Sequence, residues 1–180
     1  MPNNLQTAYF GGGCFWCTEA IFSRLEGIES VTSGYTGGRR PNPNYDQVST
    51  GMTGHAEVVQ VEFDPAVVSY EQLLEVFWAT HDPTTLNRQG ADEGTQYRSI
   101  IVTTTPEQFS LAEKSKQELE ASGKYPDPVV TEIEALDTFY TAEEYHQRYY
   151  ELKPNAGYCS FVIGPKIEKL EAQFSHLLKK

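Results

Sequence analysis

The residues best equipped for covalent chemistry lie together in the run GGGCFWC at 11–17. Cys14 follows a triple glycine that ends a predicted strand, and it precedes a predicted helix. Its sulfur is therefore expected near unpaired helix N–H groups and the positive end of the helix dipole, where a thiolate is favoured. An ordinary cysteine, with a pKa of roughly 8.5, is mostly thiol at neutral pH, and a helix N-terminus is one setting that lowers it. The plainer alternative is a buried cysteine packed at a glycine-rich turn. Phe15 and Trp16 suit the wall of a small apolar pocket for a methyl group on a soft sulfur atom, or else they are core. Cys17 stands three residues along the helix on the same side as Cys14, so a Cys14–Cys17 disulfide is geometrically possible.

An acid is found by strand parity. In AEVVQVEF, Glu57 shares a face with Val59, Val61 and Phe63, so its carboxyl points with the apolar set. Lost solvation there raises a carboxyl pKa and makes the group a proton donor near neutral pH. At the start of the run it could equally turn out to solvent. The chain holds 11 tyrosines. Tyr35 in SGYTGG, Tyr97 in GTQYRS and Tyr158 beside Cys159 lie in turn-like settings where a hydroxyl can bind an oxygen, although most tyrosines pack the ring and wet the hydroxyl. Asp92, between Gly90 and Gly94, has the character of a turn former. His55, His81 and His146 with Cys14, Cys17 and Cys159 do not match a structural zinc pattern, because Cys14 and Cys17 are the one close ligand pair. No metal is expected.

Composition narrows the partners. Fourteen Lys and Arg against 25 Asp and Glu give a net charge of -11 over 180 residues, which repels nucleic acid. No stretch nears the roughly 20 apolar residues of a membrane span. MPNNLQTAYF carries neither a basic leader nor an apolar signal core, so a cytoplasmic location is expected. The length fits a single domain over 1–180, and the absence of a long apolar stretch fits a monomer. Three cysteines cannot all pair within one chain, and a reducing cytosol does not keep structural disulfides, so they are expected to be unpaired, metal-bound or redox-active.

The elements that must position these residues follow from periodicity and turn signals. A strand over Thr7–Phe10 feeds the glycines, a helix runs from Phe15 to Leu25 and is ended by Gly27, and a strand spans Ile28–Ser33. Glu57–Phe63 alternates as a strand, and Ser69 with Gln72 forms a capping box that opens a helix through about Thr80. A strand over Arg98–Thr103 follows a polar loop. Thr105, Pro106 and Gln108 open another helix, closed by Gly123, before a strand near Val129–Glu134. Thr141 and Glu144 are read as caps of a helix over EEYHQRYY, followed by a loop-rich stretch to Cys159 and a helix from about Pro165. The leading βαββαβ order implies an α/β (α+β) fold, a ferredoxin-like split βαβ sandwich with additional helices and a loop-rich C-terminal segment.

Taken together, GGGCFWC at 11–17, SGYTGG at 33–38, TGHAEVVQVEFDP at 53–65, HDPTTLNRQGADEGTQYRS at 81–99 and AEEYHQRYY at 142–150 closely resemble the A-type peptide methionine sulfoxide reductases. The resemblance spans nearly the whole chain. It implies Cys14 as the attacking cysteine, Glu57 as the acid, Tyr35 and Tyr97 as donors to the sulfoxide oxygen, Phe15 and Trp16 as the methyl pocket, and Asp92 on the substrate side. It also implies reduction of methionine-S-sulfoxide, free and in proteins, with thioredoxin as external reductant and no bound cofactor. By the same resemblance Cys159 resolves the sulfenic acid; family members often carry Gly where this chain has Cys17, which leaves Cys17 as a second candidate. The competing reading is a thiol-disulfide oxidoreductase using Cys14 and Cys17, since CFWC at a helix start has thioredoxin-like spacing.

Overall fold

Strand alternation decides which side of the sheet is covered by helices. In β1 (Gln6–Gly12) and β3 (Ala56–Phe63), Ala8 and Phe10 lie opposite Val61 and Val59 across an antiparallel ladder. These four join Phe63, Phe22, Leu73, Leu74 and Phe77 in the main core. The opposite parity, Tyr9, Val58, Ile100 and Val102, packs with Leu136 and Phe139 on the other face. The computed structural model describes residues 4–157 and 159–180, apart from the side chains of Cys159 and Ser160. Readings made on Tyr158 and on the Cys159 thiol therefore lie outside the described residues.

The remaining elements are α1 (Phe15–Phe22), β2 (Ile28–Thr36), α2 (Tyr45–Ser49), α3 (Tyr70–Ala79), a small ribbon of β4 (Arg88–Gln89) and β5 (Asp92–Glu93), β6 (Ser99–Thr103), α4 (Pro106–Ala121), β7 (Glu132–Ala135), β8 (Tyr140–Thr141), α5 (Tyr149–Leu152) and α6 (Gly164–Phe174). The main sheet runs β7-β6-β1-β3-β2-β8. Its inner strands β6, β1, β3 and β2 are antiparallel neighbours. With α1 and α3 as the crossovers, this is the split βαβ sandwich. α4 then returns the chain to lay β7 parallel to β6.

Local signals hold where side chains have no better partner. The Ser69–Gln72 box is complete: Ser69 Oγ accepts from Gln72 N at 3.0 Å and Gln72 Oε1 accepts from Ser69 N at 2.9 Å. At α4 the box is half made. Thr105 Oγ1 accepts from Gln108 N at 3.1 Å, but Gln108 Oε1 accepts from Thr104 N at 3.0 Å and its Nε2 donates to Thr7 O at 3.0 Å. The buried amide ties α4 to β1 instead. α1 stops at Phe22 rather than Leu25, because Leu25 bridges Leu178 and Glu26 N donates to Leu177 O at 2.7 Å. The strand expected near Val129 begins at Glu132, after Val130 N has bonded to Pro83 O.

The largest correction falls on EEYHQRYY, which is not a helix. A 3₁₀ turn covers Glu144–His146, Arg148 takes a left-handed φ of 53°, and α5 follows. Tertiary bonds override the pattern: Gln147 accepts from Ser33 N and donates to Ser33 O, each at 2.9 Å, which pins the segment to β2. The C-terminal stretch is also more helical than expected, with a π-helical turn over Cys159–Ile163 leading into α6.

Candidate active site

Each glycine before Cys14 has its own task. A Cβ on Gly11 would fall 2.8 Å from Ile100 Cγ2 and 2.9 Å from Glu57 O, so β1 lies too close to β3 and β6 for a side chain there. Gly13 turns the chain with φ of +104°, a region L side chains rarely adopt. Cys14 then stands at the N-cap of α1 in extended conformation, half-buried, with its carbonyl accepting from Cys17 N at 3.1 Å.

No side chain of the local sequence caps this helix. Glu57 does so from β3. Its Oε1 accepts from Phe15 N at 3.1 Å, so the acid takes up one of the helix's orphan donors directly beside the cysteine. Glu57 is 1% exposed. Burial pushes its pKa up to about 8, the Phe15 N–H pulls it down, and the charge of Asp92 pushes it up. Glu57 Oε2 has no hydrogen-bond partner among the described residues. The group is thus a carboxylic acid near neutral pH, held by one oxygen.

Hydroxyls surround it. Tyr97 ends a 3₁₀ turn over Thr95–Tyr97; burial raises its pKa, as do the charges of Glu57, Tyr45, Cys14 and Asp92. The Tyr45 hydroxyl has its pKa raised by burial and by Glu57, against the influence of the nearby Ser49 and Tyr97. Tyr35 is fully buried, and its hydroxyl donates to Glu143 Oε1 at 2.9 Å, while Glu143 Oε2 accepts from Tyr45 N at 2.9 Å. Those bonds hold the Glu143 carboxyl below its ordinary pKa against the effect of its burial. The single Tyr35 proton is thereby directed to Glu143 and not toward Cys14.

The aromatics divide. Phe15 is completely buried, its ring 5.6 Å from Tyr35 and 5.0 Å from His146. Trp16 stays partly open; its Nε1 donates to His146 Nδ1 at 3.1 Å and its ring stacks on Tyr149 with centroids 3.7 Å apart. Because Nδ1 accepts, His146 is neutral with its proton on Nε2, and burial lowers its pKa accordingly. Cys17 is 2% exposed, packed with Ala20, Ile163 and Ile167.

The structure brings Cys14, Phe15, Trp16, Glu57, Tyr97 and Asp92 into one neighbourhood, with Tyr35 behind it. Sequence reasoning missed Tyr45 and Glu143, and it considered His146 for zinc alone. Tyr45 follows Asn44, whose capping box with Gln47 is visible in NYDQ; Glu143 gave no signal, being hidden in a pattern read as helical. Of the other histidines considered for zinc, His55 bonds to Gly38 N and Arg40 O and His81 to Phe77 O and Ser99. Among the described residues no group of three or more His, Cys, Asp or Glu is arranged to hold a metal ion. A cavity of about 610 Å³ lies behind α1, lined by Glu19, Arg148 and Tyr150, not at Cys14.

A cysteine at a helix N-cap beside a neutral carboxyl fits an oxidoreductase, and the relatives of the chain specify which. The chain belongs to the peptide methionine sulfoxide reductases, whose family profile matches residues 6–178, and it is of the A type. It is 55% identical over 174 residues to peptide methionine sulfoxide reductase MsrA of Polynucleobacter asymbioticus, covering 97% of this chain and 92% of that protein. Among solved structures it is similar to reduced Mxr1 from Saccharomyces cerevisiae, with TM-score 0.80, 34% identity, and coverage of 88% and 91% of the two chains. The same yeast protein in complex with Trx2 aligns with TM-score 0.57 at 27% identity over 83% of this chain and 87% of that one. Among the described residues no helix is long and apolar enough to cross a membrane.

Proposed function

We propose that the Cys14 thiolate attacks the sulfur of methionine-S-sulfoxide, free or within proteins, while Glu57 delivers its proton to the sulfoxide oxygen. The S–S bond made by the attack is transient: the hydroxyl shifts from the substrate sulfur to Cys14 Sγ, so the substrate S–O bond breaks as an Sγ–O bond forms, and methionine leaves with the electron pair of the S–S bond, leaving Cys14 as a sulfenic acid. A second thiol condenses with that acid, releasing water and forming a disulfide, which a thioredoxin dithiol reduces. The observation that carries this reading is the buried Glu57 bonded through Oε1 to the residue after Cys14, with Oε2 unpaired among the described residues. In this reading Tyr97 and Tyr45 hold the oxygen, and Tyr35 joins them by turning its proton away from Glu143. Trp16, the partly open ring, walls the methyl group with the buried Phe15 packed behind it, and Asp92 adds to the burial that keeps Glu57 protonated. The yeast complex with Trx2 supports thioredoxin as the reductant. The protein acts as a cytoplasmic, monomeric, single-domain enzyme without a bound cofactor.

The test is NADPH oxidation coupled through thioredoxin and its reductase, run with each sulfoxide epimer; activity confined to the S epimer is expected, and equal rates refute the specificity. For the second thiol, Cys17→Ser and Cys159→Ser are each given one equivalent of substrate and analysed by mass spectrometry. Sulfenic acid is expected to accumulate in Cys159→Ser and not in Cys17→Ser; the reverse assigns the role to Cys17. Reduction of insulin disulfides without sulfoxide reduction would favour a thiol-disulfide oxidoreductase.

A further inference from the structure

Glu19 is a second buried acid, 3% exposed, that the reaction does not use. It lies on α1 three residues after Trp16, on the same helical face. Its carboxyl accepts the backbone N–H groups of Arg148 and Tyr149. Arg148 is the residue at φ 53°, a conformation that costs a non-glycine residue free energy and persists when its surroundings enforce it. The two N–H groups belong to the junction between the 3₁₀ turn Glu144–His146 and α5. On either side of that junction stand the two residues that hold Trp16: His146, which accepts from the indole N–H, and Tyr149, whose ring lies parallel to the indole within 5°. α1 thus grips this segment twice, through the Trp16 side chain and through Glu19 on the backbone.

From this geometry we infer that Glu19 is a positioning residue: its carboxyl clamps the Arg148–Tyr149 backbone so that His146 and Tyr149 fix the Trp16 indole at the substrate pocket. The functional part rests on the reading of Trp16 as a pocket wall. One oxygen, Oε2, has no hydrogen-bond partner among the described residues. Glutamine can therefore keep the accepting oxygen and place its amide nitrogen where no bond is lost. Methionine fills similar volume and accepts nothing from either N–H group.

The test compares Glu19→Met and Glu19→Gln in the full chain by single-turnover oxidation of Cys14 at varied sulfoxide concentration, and by the indole N–H resonances. The chain has 2 tryptophans. Trp78, bonded to Ser115 Oγ at 3.0 Å, serves as internal reference, and Trp78→Phe assigns the pair. In Glu19→Met the half-saturating sulfoxide concentration is expected to rise about tenfold, near 1.4 kcal/mol, with the saturated rate changed less than about threefold. The Trp16 indole signal shifts while that of Trp78 stays, and Glu19→Gln restores both readouts. An unmoved Trp16 signal or unchanged half-saturation in Glu19→Met, or equal damage in Glu19→Gln, overturns the clamp. Should Glu19→Met not fold, amide hydrogen exchange on the wild type decides: protected Arg148 and Tyr149 amides support the clamp and unprotected ones overturn it. Trp16→Ala separates the two layers. If it leaves half-saturation unchanged, the pocket reading falls, and the clamp is judged on the indole signal alone.

Discussion

Replacing Glu57 by glutamine changes one proton and little else. The amide oxygen can accept from Phe15 N as Oε1 does at 3.1 Å, and the amide nitrogen takes the place of the unpartnered Oε2. That nitrogen can donate a hydrogen bond but cannot release a proton. General acid catalysis is worth about 10²–10⁴-fold, and the retained hydrogen bond puts the expected loss near the lower half of that range. The assay is the single-turnover rate of Cys14 oxidation, which leaves thioredoxin out. The wild-type acid, protonated below about 8, should lose activity as pH rises through that value, and Glu57→Gln should lack this limb. Stability also falls as pH rises. Between 4.5 and about 8 the folded protein binds a proton that the unfolded chain has released, so the wild type loses stability as pH rises across that window. The full displacement corresponds to roughly 5 kcal/mol. Glu57→Gln has no such dependence, so denaturant unfolding should show it gaining several kcal/mol on the wild type between pH 5 and pH 8. A rate within about threefold of wild type, or a stability difference that does not change with pH, would refute the reasoning.

Phe15→Ala opens a cavity under Tyr35 and His146 at a fully buried position and is expected to cost about 3–5 kcal/mol in denaturant unfolding; a loss below about 1 kcal/mol would show that the ring is not core. His81 is the opposite case from Glu57. Its Nδ1 donates to Phe77 O at 2.6 Å, its Nε2 accepts from Ser99 Oγ at 2.8 Å, and Ser99 accepts in turn from Thr131. Burial lowers its pKa to about 3. Below its ordinary 6.5 the unfolded chain gains a proton that the fold refuses, so the wild type loses stability as pH falls from 6.5 toward 3, by roughly 3 kcal/mol at pH 4. His81→Gln should flatten that acid slope relative to wild type, and an unchanged slope counts against a neutral His81.

The legible parts of the sequence are those where local chemistry and tertiary need agree. The βαββαβ order, the Ser69–Gln72 box and the inward parity of Glu57 each rest on periods of 2 or 3.6 that the sheet and helices keep. Legibility fails where a polar side chain serves a distant strand. Gln108 reads as a box partner but also bonds to Thr7, and Gln147 falls in the run read as helical but bonds to Ser33 in β2. The same failure concealed Glu143, since a carboxylate that holds Tyr35 and the Tyr45 backbone looks like any glutamate in an apparent amphipathic run. The place of Cys14, after a strand and before a helix, carries the expectation of a favoured thiolate. The family resemblance named its substrate.

A glycine triplet before a nucleophile is easily taken for a hinge, yet here it is a rigid mount. Gly11 is wedged against Ile100 and the Glu57 carbonyl, a Cβ on Gly12 would meet the His81 and Phe77 rings at 3.1–3.2 Å, and Gly13 is fixed in one turn. Cys14 thus follows a segment packed closely against Ile100, the Glu57 carbonyl, Phe77 and His81. A pairing thiol that lies off α1 therefore has to cover the distance to Cys14 itself, whereas Cys17, on the same helix, does not.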